Sequence, residues 1–168
     1  NIWKTLCTKL WNAVRYCTLN IKESIIPKIS DKLDSLDKWI LACYNETLDE
    51  YDKYIAKYDF SNALISLKTF FWDRFCSEYM ELCKYKIKDK NTQKLLLFLI
   101  RRMLILFHPA IPFITEELWS ITNKLVDEDN SIMESKYPLK YDKISDKSDM
   151  FEPLWILVNR IRSIKGKY

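Results

Sequence analysis

Glycine is almost missing from this chain. Its 168 residues contain one, Gly166, where average usage would give about a dozen. Without glycine no GxGxxG turn and no phosphate-cradling Walker loop can form, because both need backbone positions that a Cβ would block. Tight β-hairpin turns also favour glycine, so meanders, sandwiches and propellers are excluded as good fits. The deficit leaves helices. Histidine is equally scarce, with only His108, so a Cys/His zinc site has too few ligands. The five cysteines (Cys7, Cys17, Cys43, Cys76 and Cys83) form no CxxC pair. They fall mostly within apolar helical patterns, where a free thiol behaves as a small hydrophobe. That usage points to a reducing, cytoplasmic compartment. Uncharged apolar runs are short. The longest, residues 95–100, ends at Arg101 and Arg102, well short of the roughly 18 residues a membrane span needs. No signal peptide is visible. The chain starts at Asn1 and not Met, so a piece of something larger is expected.

What is present is helical periodicity. The length suits one domain with a real core, taken as residues 1–168. Apolar positions repeating every three or four residues predict helices over residues 2–19, 33–57, 60–87 and 92–107. The last is apolar nearly all round and is therefore placed centrally. Ser30 or Asp31 is the expected cap of the second helix, and Asp59 or Ser61 that of the third. Pro109 and Pro112 then force a corner, and Thr115 is the expected N-cap of a fifth helix to about residue 125. Residues 126–150 are polar and aperiodic, a long irregular connection. A last helix is expected from residue 151 onward. Long helices with short links predict an all-α antiparallel bundle.

Charge is uneven. Residues 1–20 carry Lys4, Lys9 and Arg15 and no acid, and residues 153–168 carry Arg160, Arg162, Lys165 and Lys167 and no acid. The remainder holds 20 basic against 23 acidic residues. Basic fields at two chain ends suit either a polyanion or a solvated helix face and tail.

Catalysis finds little support. His108 lies beside a proline corner, and Glu116 and Glu117 are adjacent and point to different faces. No Glu-x-x-His pair of the di-iron type occurs. Neither catalytic residues nor a metal site is expected. The first helix is more informative. At 100° per residue, Trp3, Leu6, Cys7, Leu10, Val14 and Cys17 form a core stripe. Thr5, Lys9, Asn12 and Tyr16 gather on the opposite side, with Thr8 and Arg15 at one flank. A ring among a cation, an amide and hydroxyls suits single-stranded RNA: bases stack on the ring, the amide reads base edges, and cations hold phosphates. The same face serves equally if Tyr16 packs on a neighbouring helix while Lys9 and Arg15 are solvated. Arg101 and Arg102 either pair with acids, snorkel to the surface or touch nucleic acid. The aromatics Phe70, Phe71, Phe75 and Tyr79 read as core.

Four blocks then carry a resemblance. Residues 106–119, LFHPAIPFITEELW, resemble the helix–corner–helix signature of the anticodon-binding domain of class I aminoacyl-tRNA synthetases, the valyl enzymes most closely. Residues 9–16, KLWNAVRY, are similar to the valyl pattern KLWNAxRF. Residues 72–82, WDRFCSEYMEL, are similar to WxxFCDxYxEL, and residues 131–138, SIMESKYP, to SIMxxxxP. Val158, Ile161 and Arg162 fit the start of the family's closing helix. Tyr16 departs from the usual phenylalanine, and Ser77-Glu78 from an Asp–aromatic pair. Ile164-Lys165-Gly166 continues the last helix unusually.

The resemblance implies a tRNA-binding fragment of a valine–tRNA ligase. The parent would join valine to tRNA(Val) with ATP and Mg. The nucleotide-binding fold and the editing domain are not in this sequence, so the fragment is expected to need no cofactor. Its implied partners are the anticodon arm of tRNA(Val) and the catalytic domain of the same chain, with no DNA and no membrane. Carried over by motif, Tyr16 would stack on an anticodon base, and Arg15 would stack on or bond a base or phosphate. Asn12 would read a base edge and Lys9 would neutralise phosphate. His108, Pro109 and Pro112 are assigned to the fold. An isoleucyl or leucyl domain, or a bundle with only a structural role, is the alternative.

Overall fold

The computed structural model describes residues 2–29 and 32–143. Six α-helices account for most of them: α1 (Ile2–Asn20), α2 (Ser35–Ala56), α3 (Phe60–Thr69), α4 (Met80–Cys83), α5 (Lys90–Phe107) and α6 (Pro112–Val126). No strand occurs among the described residues, as an almost glycine-free sequence predicts. The expected helix from residue 151, with Val158, Ile161 and Arg162, lies outside the described residues, as do residues 144–150 and the basic tail.

Helix α5 is the axis of the bundle. Leu95, Leu96, Leu97, Leu99, Ile100, Met103, Leu104, Leu106 and Phe107 are all buried, and α1, α3 and α6 all pack on this helix. Burial on every side is what an apolar helix needs, since each buried side chain of this size is worth about 1.5–3 kcal/mol over its exposed state.

The expected single helix over residues 60–87 is instead a helical path that changes pitch. After α3, Phe70–Tyr79 form a π-helix, followed by α4 and a 3-10 turn at Lys84–Lys86. The wider turn is marked by Met80 N–H donating to the Phe75 carbonyl, and the Ser77 hydroxyl donates to the Trp72 carbonyl, 2.9 Å. Phe71, Phe75 and Tyr79 are four residues apart, fully buried, and stacked in sequence at 6.0 and 6.1 Å. A spacing of four is compatible with either pitch, so periodicity could not separate them. The end of this path is held by charge. Lys86 Nζ donates to Asp34 (2.6 Å) and to buried Asp37 (2.7 Å), and the Tyr79 hydroxyl donates to the same Asp37 oxygen, 2.9 Å.

Three caps are aspartates. Asp34, Asp59 and Asp89 accept from Asp37, Asn62 and Thr92 backbone N–H groups at the starts of α2, α3 and α5. Asp59 was expected. Ser30 and Asp31, the expected caps of α2, lie outside the described residues. Thr115 is not an N-cap: α6 begins at Pro112, with Ile111 at the cap. A proline is pre-set for the first helical position and its missing N–H would be unpaired there anyway. Thr115 is buried inside the first turns, donating to the Ile111 carbonyl at 3.0 Å, with His108 Nδ1 2.8 Å from its hydroxyl. That bond ties the corner shut, a structural role for His108.

The connection after α6 is more ordered than its composition predicts. Ile132–Glu134 form a 3-10 turn with a Ser131–Glu134 capping box. Residues 137–141 then run along α2, where Tyr137 bonds Asp52, and the Asn45 side-chain amide both donates to and accepts from the Tyr141 backbone.

Candidate RNA-binding groove

The groove lies between α1 and the π-to-α4 path. Leu6, Leu10, Ala13, Val14 and Cys17 are the residues of α1 that go into the core. Two members of the expected stripe differ: Trp3 is exposed and Cys7 is only half-buried, while Leu6 between them is fully buried. Ala13, not counted in the stripe, is buried instead. With the core face so defined, Lys9, Asn12 and Tyr16 turn toward the π-helix.

These three side chains line one groove of about 330 Å³, together with Ala13, Cys76, Met80, Glu81 and Lys84. Asn12 is exposed, while Lys9 and Tyr16 are half-buried. Tyr16 also packs against the core, so it has a packing role as well as a place in the groove wall. Burial pushes the Tyr16 hydroxyl above the ordinary phenol range, with Cys83, Cys17 and Glu81 adding to the shift. It therefore stays a neutral donor at physiological pH. Arg15 does not line this groove. It is exposed, and its carbonyl accepts from the Thr18 hydroxyl, 2.8 Å. Three of the four motif residues are thus brought together, and the fourth is left on the outer surface of α1.

Sequence reasoning missed the far wall. Lys9 Nζ sits over the Trp72 ring, 4.4 Å from its centroid, which fixes the ammonium at the groove's rim by cation–π attraction. Cys76 forms part of the wall; burial pushes its thiol up to about 12, with Lys9 pulling the other way, so it presents a neutral, apolar surface. Glu81 and Lys84 pair at 2.7 Å, and Lys9 then leaves the groove net positive. The signal existed in the block at residues 72–82, but helical periodicity alone could not say which aromatic faces α1.

The two arginines of α5 differ in their surroundings. Arg101 is buried, paired with Glu128 at 2.6 Å, bonded to Thr122 and Asn123, and stacked 3.7 Å over the Trp119 ring. Arg102 lies 4.0 Å over the Phe98 ring. Among the described residues no group of three or more His, Cys, Asp or Glu side chains converges to hold a metal ion, and none is a glycine. No described helix is long and apolar enough to cross a membrane.

Residues 37–168 match the family model described as the anticodon-binding domain of tRNA ligase. Valine–tRNA ligases of Fervidobacterium nodosum and Thermotoga maritima are each 32% identical over 98% of this chain. That of Oceanobacillus iheyensis is 33% identical over 94%. The chain spans only about a fifth of the length of these relatives: 19%, 19% and 18%.

Proposed function

We propose that this chain, which belongs to the family of anticodon-binding domains of tRNA ligases, grips the anticodon arm of tRNA(Val) as one helical domain of a valine–tRNA ligase. The observation that carries this is the convergence of Lys9, Asn12 and Tyr16 on one groove. A neutral aromatic ring, an amide and a cation are what an unstacked base and its phosphate require. Tyr16 stacks on the base, Asn12 bonds its edge, and Lys9 meets the phosphate. Arg15, exposed on α1 outside the groove, takes a neighbouring phosphate of the same arm.

The parent enzyme joins valine to tRNA(Val) in the cytoplasm. ATP and magnesium bind in its catalytic domain, a partner on the same polypeptide, and this fragment performs no chemistry of its own. The identities to valine enzymes support valine over isoleucine or leucine.

The test is binding of the chain to valine and isoleucine anticodon stem-loops at two salt concentrations. The expected result is tighter valine binding that weakens with salt, since phosphate contacts release counterions. Equal weak binding of both loops would remove anticodon reading and leave only a charged surface.

A further inference from the structure

Resting on that reading, we infer that the apolar gap between α1 and α3 is a docking surface for the catalytic domain of the parent polypeptide, which seats one apolar side chain there beside a carboxylate. Trp3 and Leu6 of α1 and Phe60, Leu64, Ile65 and Lys68 of α3 line a cavity of about 260 Å³. Leu6 is fully buried, whereas Trp3, Phe60 and Ile65 are 44%, 57% and 58% exposed. Tyr58, 82% exposed, adds its ring 6.4 Å from that of Phe60. Single exposed apolar side chains are ordinary, but a group of them around one opening marks an interaction surface. The cavity is smaller than the roughly 300–1,000 Å³ of small-molecule pockets. It therefore suits one side chain of a protein partner, held as a buried anchor.

Chemistry, length and position choose the occupant. The lining contains no amide to read a base edge, unlike the groove at Asn12. Neither α1 nor α3 contains an acidic residue, and Lys68 is the charged side chain of the lining. The complement is an apolar anchor with an aspartate or glutamate at its edge. This chain spans 19% of its relatives, so a parent of their length has a large body to present such a group. Thirteen residues of α1 separate Trp3 from Tyr16, or about 20 Å, so a body seated at Trp3 leaves the RNA groove open. One rigid helix then joins the two functions. Its first turns rest on the catalytic domain, its later turns hold the anticodon arm, and the distance between them is fixed.

The experiment places a thiol at the surface and follows its maleimide labelling by peptide mass spectrometry, in this chain and in the full-length parent. Ile65→Cys probes the gap, and Tyr85→Cys is the control, since Tyr85 is 77% exposed in the 3-10 turn before α5. Both substitutions fall on exposed side chains, and circular dichroism confirms each fold. Labelling at residue 65 is expected to be about tenfold slower in the parent than in this chain, and labelling at residue 85 to be the same in both. A zero-length carbodiimide cross-link in the unsubstituted parent is expected to join Lys68 to a carboxylate of the catalytic domain. Equal labelling of residue 65 in the two proteins would overturn the docking surface, as would protection of both sites alike. Protection of residue 65 with the Lys68 cross-link absent, or in another domain, would overturn the assigned partner. Protection of residue 65 in this chain by an added anticodon stem-loop would give the surface to RNA and overturn it as well. Stem-loop binding is measured separately, so the docking surface can fail while the Tyr16 groove stands. Protection by the parent without any stem-loop binding would remove the anticodon reading and keep the docked surface.

Discussion

The ammonium of Lys9 lies 4.4 Å from the centre of the Trp72 ring, joining α1 to the π-helix across the rim of the groove. A cation held this way sits in place before any phosphate arrives. At a half-exposed position the pair is worth about 0.5–1 kcal/mol. Replacing Lys9 by Gln is expected to reduce stability by no more than that. Its larger effect falls on RNA affinity. The slope of log affinity against log salt should shrink by about 0.7, the share of one phosphate contact on a single strand. A salt titration of both proteins measures it, and an unchanged slope would take Lys9 off the phosphate.

Lys86 is expected to matter for folding and not for RNA. Its ammonium joins Asp34 and buried Asp37. Replacing it with Met strands the Asp37 charge and should cost about 3 kcal/mol, read by urea unfolding.

The same cluster sets a pH dependence with a sign at each end. Burial pulls the Asp34 carboxyl up, but the Lys86 and backbone hydrogen bonds outweigh it, and the value is lowered overall. Its stabilisation is present above the ordinary carboxylate value and is lost as pH falls through the folded one. Burial lowers Lys86, but its two carboxylates outweigh that and raise it. Its stabilisation is complete below the ordinary lysine value and is lost as pH rises through the folded one. Unfolding free energy should therefore drop at both extremes, and the drops should shrink in Lys86→Met. Identical pH profiles for the two proteins would contradict the assignment.

Tyr58 occupies the left-handed region, φ 58°, just after α2. Its N–H and that of Asp59 close the helix end on Ile55 and Tyr54. A Cβ in that conformation costs about 1–2 kcal/mol, and glycine scarcity leaves the cost in place. Tyr58→Gly should raise stability by about 1 kcal/mol. Asp127 has φ 57° after α6, but Asp tolerates that region, so Asp127→Gly should gain less. Equal gains in thermal unfolding would show that the side chain plays no part.

Features with a local cause were legible in the sequence. The central place of α5 follows from its apolar surface, and the corner follows from two prolines. The turning of Lys9, Asn12 and Tyr16 to one side follows from 100° per residue. Arg15, placed at the flank by the wheel and joined to the other three only by the motif, does not line the groove. Features that depend on pairing across the chain were not legible. Nothing near Lys9 announces Trp72, and nothing near Lys86 announces Asp34. The pitch change at Phe70–Tyr79 escaped because apolar residues four apart serve both helices. Thr115 looked like a cap because its residue type is a good one, but Pro112 had already supplied the start.

The central claim is that an RNA base stacks on Tyr16. It is tested most directly by measuring the affinity of Tyr16→Ala and Tyr16→Phe for the valine anticodon stem-loop, with folding checked by circular dichroism. Stacking predicts a loss of about 1–3 kcal/mol for alanine and near-full affinity for phenylalanine, which keeps the ring. An alanine variant that folds and binds as tightly as the parent would contradict it.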